Sequence, residues 1–329
     1  MSDSSTETAV QRVVATLEPI DAADRRRALV IVNPFATTVS DRLRNLVVYA
    51  LAARYEVEAV ETQSRGHATE IARDAARSGY GIVIAFGGDG TVNEAANGLA
   101  GSGTPLSCLP GGSANVFCKL LGIPGEIVDA TQHLLRVADN FAPRQIDLGD
   151  VEGRLYTFSA GIGIDAAVVR GVDARPRLKA RFGPYFFLGT ALTTFAGRYL
   201  LRAPRMFVSV GEETVVGVTT IVQNAAHYTY FNDRPIDLAR GASLDGGTLA
   251  SVVLRRASLL AAPTLLARAV LGRRGVGGHR QVASFEDVTS MTVSSASGRP
   301  LPLQVDGDHI GDVTEARFTI RPGVLTVVA

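Results

Sequence analysis

Short apolar runs alternate with longer amphipathic stretches between residues 28 and 101, and this alternation constrains the fold more than any other feature. The apolar runs are "ALVIVN", "VEAVET" and "GIVIAF", and the stretches between and after them are "DRLRNLVVYALAARY", "HATEIARDAARSGY" and "TVNEAANGLAG". Such alternation predicts a parallel sheet with helices on its faces. In a doubly wound sheet of this kind, ligands bind at the carboxyl ends of the strands. We therefore expect a doubly wound α/β domain with its site at that edge.

The pattern changes after about residue 148. Short alternating runs such as "RLYTFSAGIGIDAAVV", "TVVGVTTIVQNA" and "ARFTIRPGVLTVV" are separated by Gly, Pro and Asp, which predicts an antiparallel β-sandwich or barrel. A chain of 329 residues also exceeds what one hydrophobic core usually serves. The sequence therefore predicts a flexible tail over 1–26, an α/β domain over 27–150 and a β-sandwich domain over 151–329.

The charge, the cysteine content and the apolar runs of the chain limit the partners and the compartment that we expect. A net charge of +1 gives no global attraction to nucleic acid. Cys108 and Cys118 are too few and too far apart for a disulfide framework or a Cys-x-x-Cys metal site, which favours a reducing, cytoplasmic setting. The N-terminus lacks the basic-then-apolar order of a secretory signal, and no apolar run reaches the ~18 to 20 residues of a membrane span.

A glycine-rich turn follows the third apolar run. Gly87, Gly88 and Gly90 surround Asp89, and Thr91 stands where a helix N-cap is expected. Glycines permit positive φ and close approach to a ligand, and helix N-termini favour phosphate. Because phosphate beside a carboxylate requires a cation, Asp89 suggests Mg²⁺ next to a nucleotide. An ordinary Asp-Gly turn with a Thr cap explains the same residues.

A second glycine loop, "LPGGSANVF", runs through Gly111, Gly112, Ser113 and Asn115 into a helix. Two such turns in one sheet can face the same crevice. The alternative is a second tight turn capped by Ser113.

These two motifs together resemble the diacylglycerol kinase catalytic-domain family, which includes bacterial lipid kinases and sphingosine and ceramide kinases. The resemblance extends from about Ala28 to the C-terminus, through "VNPFATT", "TQSRGHATEIA", "IDLGDVEGRLYTFSAGIGIDAAVV" and "LQVDGDHI". It implies a nucleotide domain followed by a β-sandwich lipid domain, with ATP and Mg²⁺ as cofactors. A diacylglycerol-like lipid would be the substrate, met at a transient membrane surface.

The resemblance also implies site residues. Asp89 and Asp147 would lie on the water network around the catalytic magnesium, and Asp245 is a weakly assigned ligand of a separate structural magnesium. Asp306 and Asp308 would be the pair associated with deprotonating the lipid hydroxyl. The nucleotide would contact Asn33, Pro34, Phe35, Ala36, Thr37, Thr62, His67, Gly87, Gly88, Asp89, Gly90, Thr91, Val92, Asn93, Glu94, Gly111, Gly112, Ser113 and Asn115.

The sequence departs from the family pattern in three motifs. Ala36 and Thr37 replace Ser-Gly in the first loop, and Val116 replaces a carboxylate in the second. Asp308 replaces a glutamate, and a base must reach its proton within about 3 Å.

Several of these residues can also be explained by local structure, without a role in catalysis or binding. Asp306-Gly307 is a preferred hairpin corner, His67 suits a helix start, and Glu94 could complement its helix dipole. Two basic-apolar stretches, 175–205 and 255–280, predict either membrane contact or core helices with snorkelling arginines.

The sequence thus predicts an ATP- and Mg²⁺-dependent lipid kinase, cytoplasmic and peripheral at the inner membrane face. The alternatives are an NAD kinase-like enzyme with a soluble substrate, and a nucleotide- or lipid-binding protein with little turnover. Oligomeric state is open, with a homodimer as one option.

Overall fold

The computed structural model describes residues 21, 25–173, 203–231, 234–258, 260–271 and 275–329. The predicted tail over 1–26 and the first basic-apolar stretch over 175–205 lie almost entirely outside these ranges. The chain divides into two compact units. The first holds residues up to Ile146 together with Gly323–Ala329, and the second holds Asp147–Pro322.

The first unit is a parallel α/β sheet. Strand order is β2-β1-β3-β4, and every pairing is parallel. The end of the chain adds to this sheet, because Val327 pairs in parallel with Leu106. The elements are β1 (Arg26–Val32), α1 (Asp41–Leu51), β2 (Tyr55–Glu61), α2 (His67–Arg77), β3 (Ile82–Gly87), α3 (Asp89–Leu99), β4 (Leu106–Pro110), α4 (Val116–Leu120) and α5 (Ile127–Asp139).

Burial explains why these segments form. Every residue of β3 and β4 is buried, as expected for central parallel strands covered on both faces. Helix α1 begins after Ser40, whose hydroxyl accepts a hydrogen bond from the Leu43 amide at 3.2 Å. Helix α2 buries one alanine stripe, Ala68, Ala72 and Ala75, at the spacing of a single helix face.

The second unit is a two-layer antiparallel sandwich. One layer has the order β14-β13-β10-β7-β16-β17, and the other contains β15, β8 and β9 with the first part of β18. Its elements are β5 (Arg144–Val151), β6 (Arg154–Tyr156), β7 (Ser159–Gly163), α6 (Ile164–Asp173), β8 (Met206–Val210), β9 (Glu213–Gly217), β10 (Thr219–Gln223), β11 (Thr229–Phe231), β12 (Arg234–Ile236), β13 (Leu249–Leu254), α7 (Ala262–Leu271), β14 (Val282–Val288), β15 (Ser290–Ser295), β16 (Leu301–Val305), β17 (Asp308–Val313) and β18 (Glu315–Val327).

One core fills the space between the layers. Ile162 and Leu303 come from the first layer, and Val208, Met291 and Phe318 from the second. Inward side chains at alternate strand positions are what the sequence pattern predicted. The predicted fold class, an N-terminal α/β domain followed by an antiparallel β domain, is confirmed.

One segment differs from its predicted secondary structure, and a second segment decides between the two predictions made for it. The run "IDAAVV" was expected among the strands, but it forms the start of α6, because Gly163 at φ +103° ends β7 and an alanine-rich turn follows. In the second basic-apolar stretch, Leu265 and Ala269 of α7 pack on a small core cluster, which favours the core-helix reading. None of the helices in the described ranges has the length and apolarity to cross a membrane.

Candidate active site

Three loops of the first unit leave the same edge of its sheet. Val32 pairs with Phe86, and Gly87 pairs with Pro110, so β1, β3 and β4 end side by side. The loops that follow are 33–40, the junction at Gly88, and 111–115. These segments therefore lie together at the carboxyl edge of the sheet of the first unit, as the sequence predicted.

Asn33 links the first loop to the glycine turn. Its side-chain NH₂ group donates to the Thr91 hydroxyl at 3.0 Å, and its side-chain oxygen Oδ1 accepts from the Phe35 amide at 3.0 Å. The Thr38 amide donates to the Gly111 carbonyl at 3.1 Å. These bonds hold the first loop against both glycine loops while leaving the Phe35 side chain 81% exposed.

The two glycine loops pack backbone against backbone. A Cβ on Gly111 would lie 2.8 Å from the Gly87 Cα, and a Cβ on Gly112 would lie 2.8 Å from the Gly88 Cα. The Gly111 amide also donates to the Gly87 carbonyl at 2.9 Å. None of these four has the positive φ that the sequence suggested. Close approach, rather than left-handed backbone, is what excludes side chains here.

Asp89 opens helix α3. The expectation that Thr91 is the N-cap is wrong, because Gly88 holds that position with extended backbone and Asp89 is the first helical residue. Thr91 instead lies within the first turn of the helix, where it is buried and accepts a hydrogen bond from Asn33. The Asp89 carboxylate accepts from the Phe117 amide at 3.0 Å. Its charge complements the N-terminal end of α3 and ties this turn to the second loop.

Asn115 closes the second loop. It has left-handed backbone with φ +47°, and its side chain accepts from the Gly112 amide and donates to the Gly112 carbonyl, both at 2.8 Å. Ser113 is exposed at the loop tip and does not cap α4, which begins after Asn115. Val116, which stands in place of a carboxylate, is 2% exposed. It therefore belongs to the apolar interior.

The two cysteines flank this loop. Cys108 on β4 and Cys118 on α4 are free thiols with their Sγ atoms 2.9 Å apart. Burial raises the pKa of the Cys108 thiol well above its usual value. Both cysteine side chains are buried and act as apolar filling at the loop's base. Sequence separation gave no sign of this pairing.

Glu94 binds the start of a neighbouring helix. Its two carboxylate oxygens accept from the Gly66 amide at 2.8 Å and the Ala68 amide at 3.2 Å. It therefore caps α2 rather than complementing its own helix. His67, the first residue of α2, accepts through Nδ1 from the Gln63 amide at 3.0 Å.

Three other predicted nucleotide contacts have buried side chains. Thr62, Val92 and Asn93 lie in the interior of the first unit. The Thr62 amide donates to the Val32 carbonyl at 2.8 Å. Of the remaining predicted contacts, Pro34, Ala36 and Thr37 lie in the first loop, and Gly90 is the second residue of α3.

Asp147 and Asp245 belong to the second unit. The Asp147 carboxylate accepts from the Gly247 amide at 2.6 Å, and its own amide donates to the Leu244 carbonyl at 2.6 Å. Asp245 is exposed in the turn between those two partners. The structure thus brings these two predicted metal ligands to adjoining segments.

Asp306 is held by four hydrogen bonds. Its carboxylate accepts from the Thr157 amide at 2.7 Å and hydroxyl at 2.8 Å, from the Phe158 amide at 3.0 Å and from the Ser159 amide at 3.1 Å. Burial nevertheless raises the pKa of Asp306 above its usual value. Asp306 and Gly307 both have positive φ, +47° and +82°, which is the two-residue hairpin turn between β16 and β17. The hairpin reading of this motif is therefore correct.

Asp308 begins β17, directly after the turn. It is paired in register with Val305 and is partly exposed. The two carboxylates of the acid pair therefore differ in environment. Asp306 is enclosed by one backbone segment, whereas Asp308 stands at the edge of the hairpin.

The described side chains offer few ligands for a metal ion. Within the described ranges, no group of three or more His, Cys, Asp or Glu side chains is arranged to hold a metal ion. Mg²⁺ in nucleotide sites is commonly held by one or two carboxylates together with substrate phosphates. The described side chains therefore fit Mg²⁺ only where one or two carboxylates bind it together with substrate phosphates. The glycine loops at the α3 N-terminus have the backbone character of an anion site.

The segment that contains these loops is similar to known proteins. Residues 27–151 match the family model of the diacylglycerol kinase catalytic domain. A diacylglycerol kinase from Bacillus subtilis is 36% identical over 145 residues, covering 42% of this chain and 46% of that protein. A protein named "Probable lipid kinase YegS-like" from Pseudomonas aeruginosa is 36% identical over 159 residues, covering 48% and 50%. The aligned region thus spans about half the length of these curated relatives.

A solved structure covers nearly the whole fold. The crystal structure of a diacylglycerol kinase from Bacillus anthracis has a TM-score of 0.66 at 20% identity, covering 92% of this chain and 96% of that one. At that identity the likeness shows the fold alone. The predicted resemblance is confirmed over residues 27–151, which match the family model of the diacylglycerol kinase catalytic domain.

Proposed function

We propose that this protein is an ATP- and Mg²⁺-dependent lipid kinase that phosphorylates a hydroxyl of diacylglycerol or a similar lipid. The observation that carries the proposal is the match of residues 27–151, because the matched segment contains both glycine loops. The relatives named diacylglycerol kinase and lipid kinase support the class of acceptor.

The nucleotide would bind at the glycine loops. Gly87 and Gly88 lie against Gly111 and Gly112, so the α3 amides and the second loop could both donate to phosphate oxygens. Mg²⁺, when bound, would neutralise charge on the phosphates beside Asp89. Asp89 would hold a water of that ion while its other hydrogen bond keeps Phe117 in place.

Asp308 is the better candidate for the base. A base must be able to take up a proton from the acceptor, and the Asp306 carboxylate already accepts four hydrogen bonds. Asp308 would accept the lipid hydroxyl proton as that oxygen bonds to the γ-phosphorus. The bond from the γ-phosphorus to the β–γ bridging oxygen then breaks, and ADP leaves. Asp306 would fix the turn that presents Asp308.

The lipid would be met at a membrane surface. Leu260 is exposed four residues after the exposed Arg256, a combination that suits anionic lipid head groups. We accordingly place the protein in the cytoplasm, peripheral at the inner membrane face, and we leave a homodimer open.

One observation favours a second candidate, a nucleotide- or lipid-binding protein with little turnover. Val116 is buried where the family pattern has a carboxylate, so one polar contact to the metal waters would be lost. This candidate predicts Mg-ATP binding without phosphate transfer.

Transfer of labelled γ-phosphate from ATP to a panel of lipids in mixed micelles tests the proposal, with NAD as a soluble acceptor. Label in one lipid, lost in Asp308→Asn and kept in Asp312→Asn, would support it. Asp312 is a matched control because it lies on the same strand and pairs with Arg170 and His309. Label in NAD alone would indicate an NAD kinase. Mg-ATP binding with no label in any acceptor would favour the binding protein.

A further inference from the structure

Asp165 is not part of the turn at Asp306–Asp308, but it is connected to that turn through hydrogen bonds. It is the second residue of α6, and its carboxylate accepts hydrogen bonds from the Tyr228 hydroxyl and from the Gln304 amide, the latter at 2.6 Å. Gln304 lies on β16 and is 1% exposed. A buried amide of this kind must satisfy both of its ends.

The other end of Gln304 reaches the turn. Its carbonyl oxygen accepts from the Gly307 amide at 2.9 Å. Because a carboxylate only accepts and a backbone amide only donates, these two partners fix the orientation of the Gln304 side chain. A continuous path of hydrogen bonds therefore joins Asp165, Gln304 and Gly307, the residue before Asp308.

Gly161 on β7 leaves room for this path. A Cβ at Gly161 would lie 2.5 Å from the Asp165 Oδ2 atom and 3.1 Å from the Gln304 Nε2 atom. These are the two atoms that share the hydrogen bond. The position thus excludes any side chain at the centre of the path, which is an observation independent of the bonds themselves.

The hairpin needs such support. Its register shifts between Leu303 and Gln304, and Gly311 opposite has φ +143°. An irregular pairing of this kind bends and loosens the ladder locally. Asp306 fixes one side of the turn through Thr157, and Gln304 fixes the amide on the other side.

We propose that Asp165 is a positioning residue that orients Gln304 and, through Gly307, holds Asp308 in place for proton transfer. This role rests on the proposed lipid kinase function. It requires the acceptor oxygen of Asp165 and not its charge. Displacement of a reacting group by about 1 Å can cost ~10²-fold in rate.

The test compares two substitutions at one position. In Asp165→Asn the side-chain oxygen can still accept from Gln304 while the amide donates to the Tyr228 oxygen, so most of kcat should remain. In Asp165→Leu both partners lose their acceptor, and kcat should fall roughly tenfold to a hundredfold with an unchanged KM for Mg-ATP. Gln304→Leu should fall equally, and the double variant Asp165→Leu/Gln304→Leu should lose no more than either single variant.

A second readout does not depend on activity. Hydrogen exchange at the Gly307 amide should be slow in the wild type and in Asp165→Asn, and faster in Asp165→Leu and Gln304→Leu. If the wild type transfers no phosphate to any lipid, the proposed function fails while this readout still decides whether the path holds the turn. Equal loss of kcat in Asp165→Asn and Asp165→Leu, or unchanged Gly307 exchange in Gln304→Leu, would overturn the inference.

Discussion

Asp306 and Thr157 are joined by two hydrogen bonds, because the Asp306 carboxylate accepts from both the amide and the hydroxyl of Thr157, at 2.7 and 2.8 Å. These residues are 149 positions apart, so one carboxylate ties the β16–β17 hairpin to the segment before β7. Asp308, two residues later, is partly exposed at the edge of the hairpin.

This difference predicts that substitutions at the two positions will change stability by unequal amounts. Asp306→Ala should lower the free energy of unfolding by about 3 kcal/mol, because four donors in a buried site lose their acceptor. Asp308→Ala should change it by less than about 1 kcal/mol, as expected for a partly exposed position. Urea denaturation of both variants provides the measurement. Similar losses of stability in the two variants would contradict the division of roles.

Gly111→Ala should disturb both glycine loops. The added Cβ would lie 2.8 Å from the Gly87 Cα and 2.9 Å from a Val39 methyl, so the backbones must separate. We expect a Kd for Mg-ATP weakened at least tenfold in isothermal titration. Gly125→Ala is the matched control, since its Cβ would meet only the Lys119 side chain at 3.8 Å. Equal affinities for ATP in the two variants would argue against close packing of the loops.

Glu94→Gln should weaken the start of α2. One of the two oxygens that accept from Gly66 and Ala68 becomes a donor, and the negative charge at the helix N-terminus is lost. Thermal unfolding should report a loss of about 1 kcal/mol. The control is Glu70→Gln, an exposed acid in the first turn of the same helix. If Glu70→Gln were as damaging, the capping role of Glu94 would be unsupported.

The pH dependence of stability should carry a signature of Asp165. Desolvation raises the pKa of Asp165 above 3.8, although the hydrogen bonds from Tyr228 and Gln304 oppose that rise. Between 3.8 and the raised pKa, the folded protein holds a proton that the unfolded chain has released, so the free energy of unfolding falls as pH rises. Asp165→Asn removes this slope.

Urea denaturation of wild type and Asp165→Asn across that pH range makes the comparison. The variant should gain stability relative to wild type as pH rises, while the raised pKa of Asp306 acts in both proteins and cancels. Parallel stability curves would show that Asp165 titrates alike in the folded and unfolded states.

The fold was largely predictable because periodicity reports burial. The runs "ALVIVN" and "GIVIAF" became β1 and β3 within a residue or two, since central parallel strands must be apolar on both faces. The return of residues 323–329 to the first unit had no such signal. The pairing of Val327 with Leu106 is a long-range contact, and a terminal strand looks the same in either unit.

The site was predictable only in part. Motifs placed Gly111 and Asp306 in the right turns, because turn chemistry is local, whereas Asp89 is the first residue of α3 and not a turn residue. They did not reveal that Asp89 accepts from Phe117, or that Gln304 orients Gly307, since such partners meet only through the tertiary fold. A polar residue on a buried strand, such as Gln304 in "LPLQV", was the one available signal, because a buried amide needs partners.

The most direct test of the account is the initial rate of lipid phosphorylation by Asp308→Asn and Asp312→Asn, measured with labelled ATP and the best lipid acceptor. The account predicts that Asp308→Asn loses at least ~10²-fold in kcat, the usual scale for removal of a general base, whereas Asp312→Asn keeps the wild-type rate. Full activity in Asp308→Asn, or absence of lipid phosphorylation in the wild type, would contradict it.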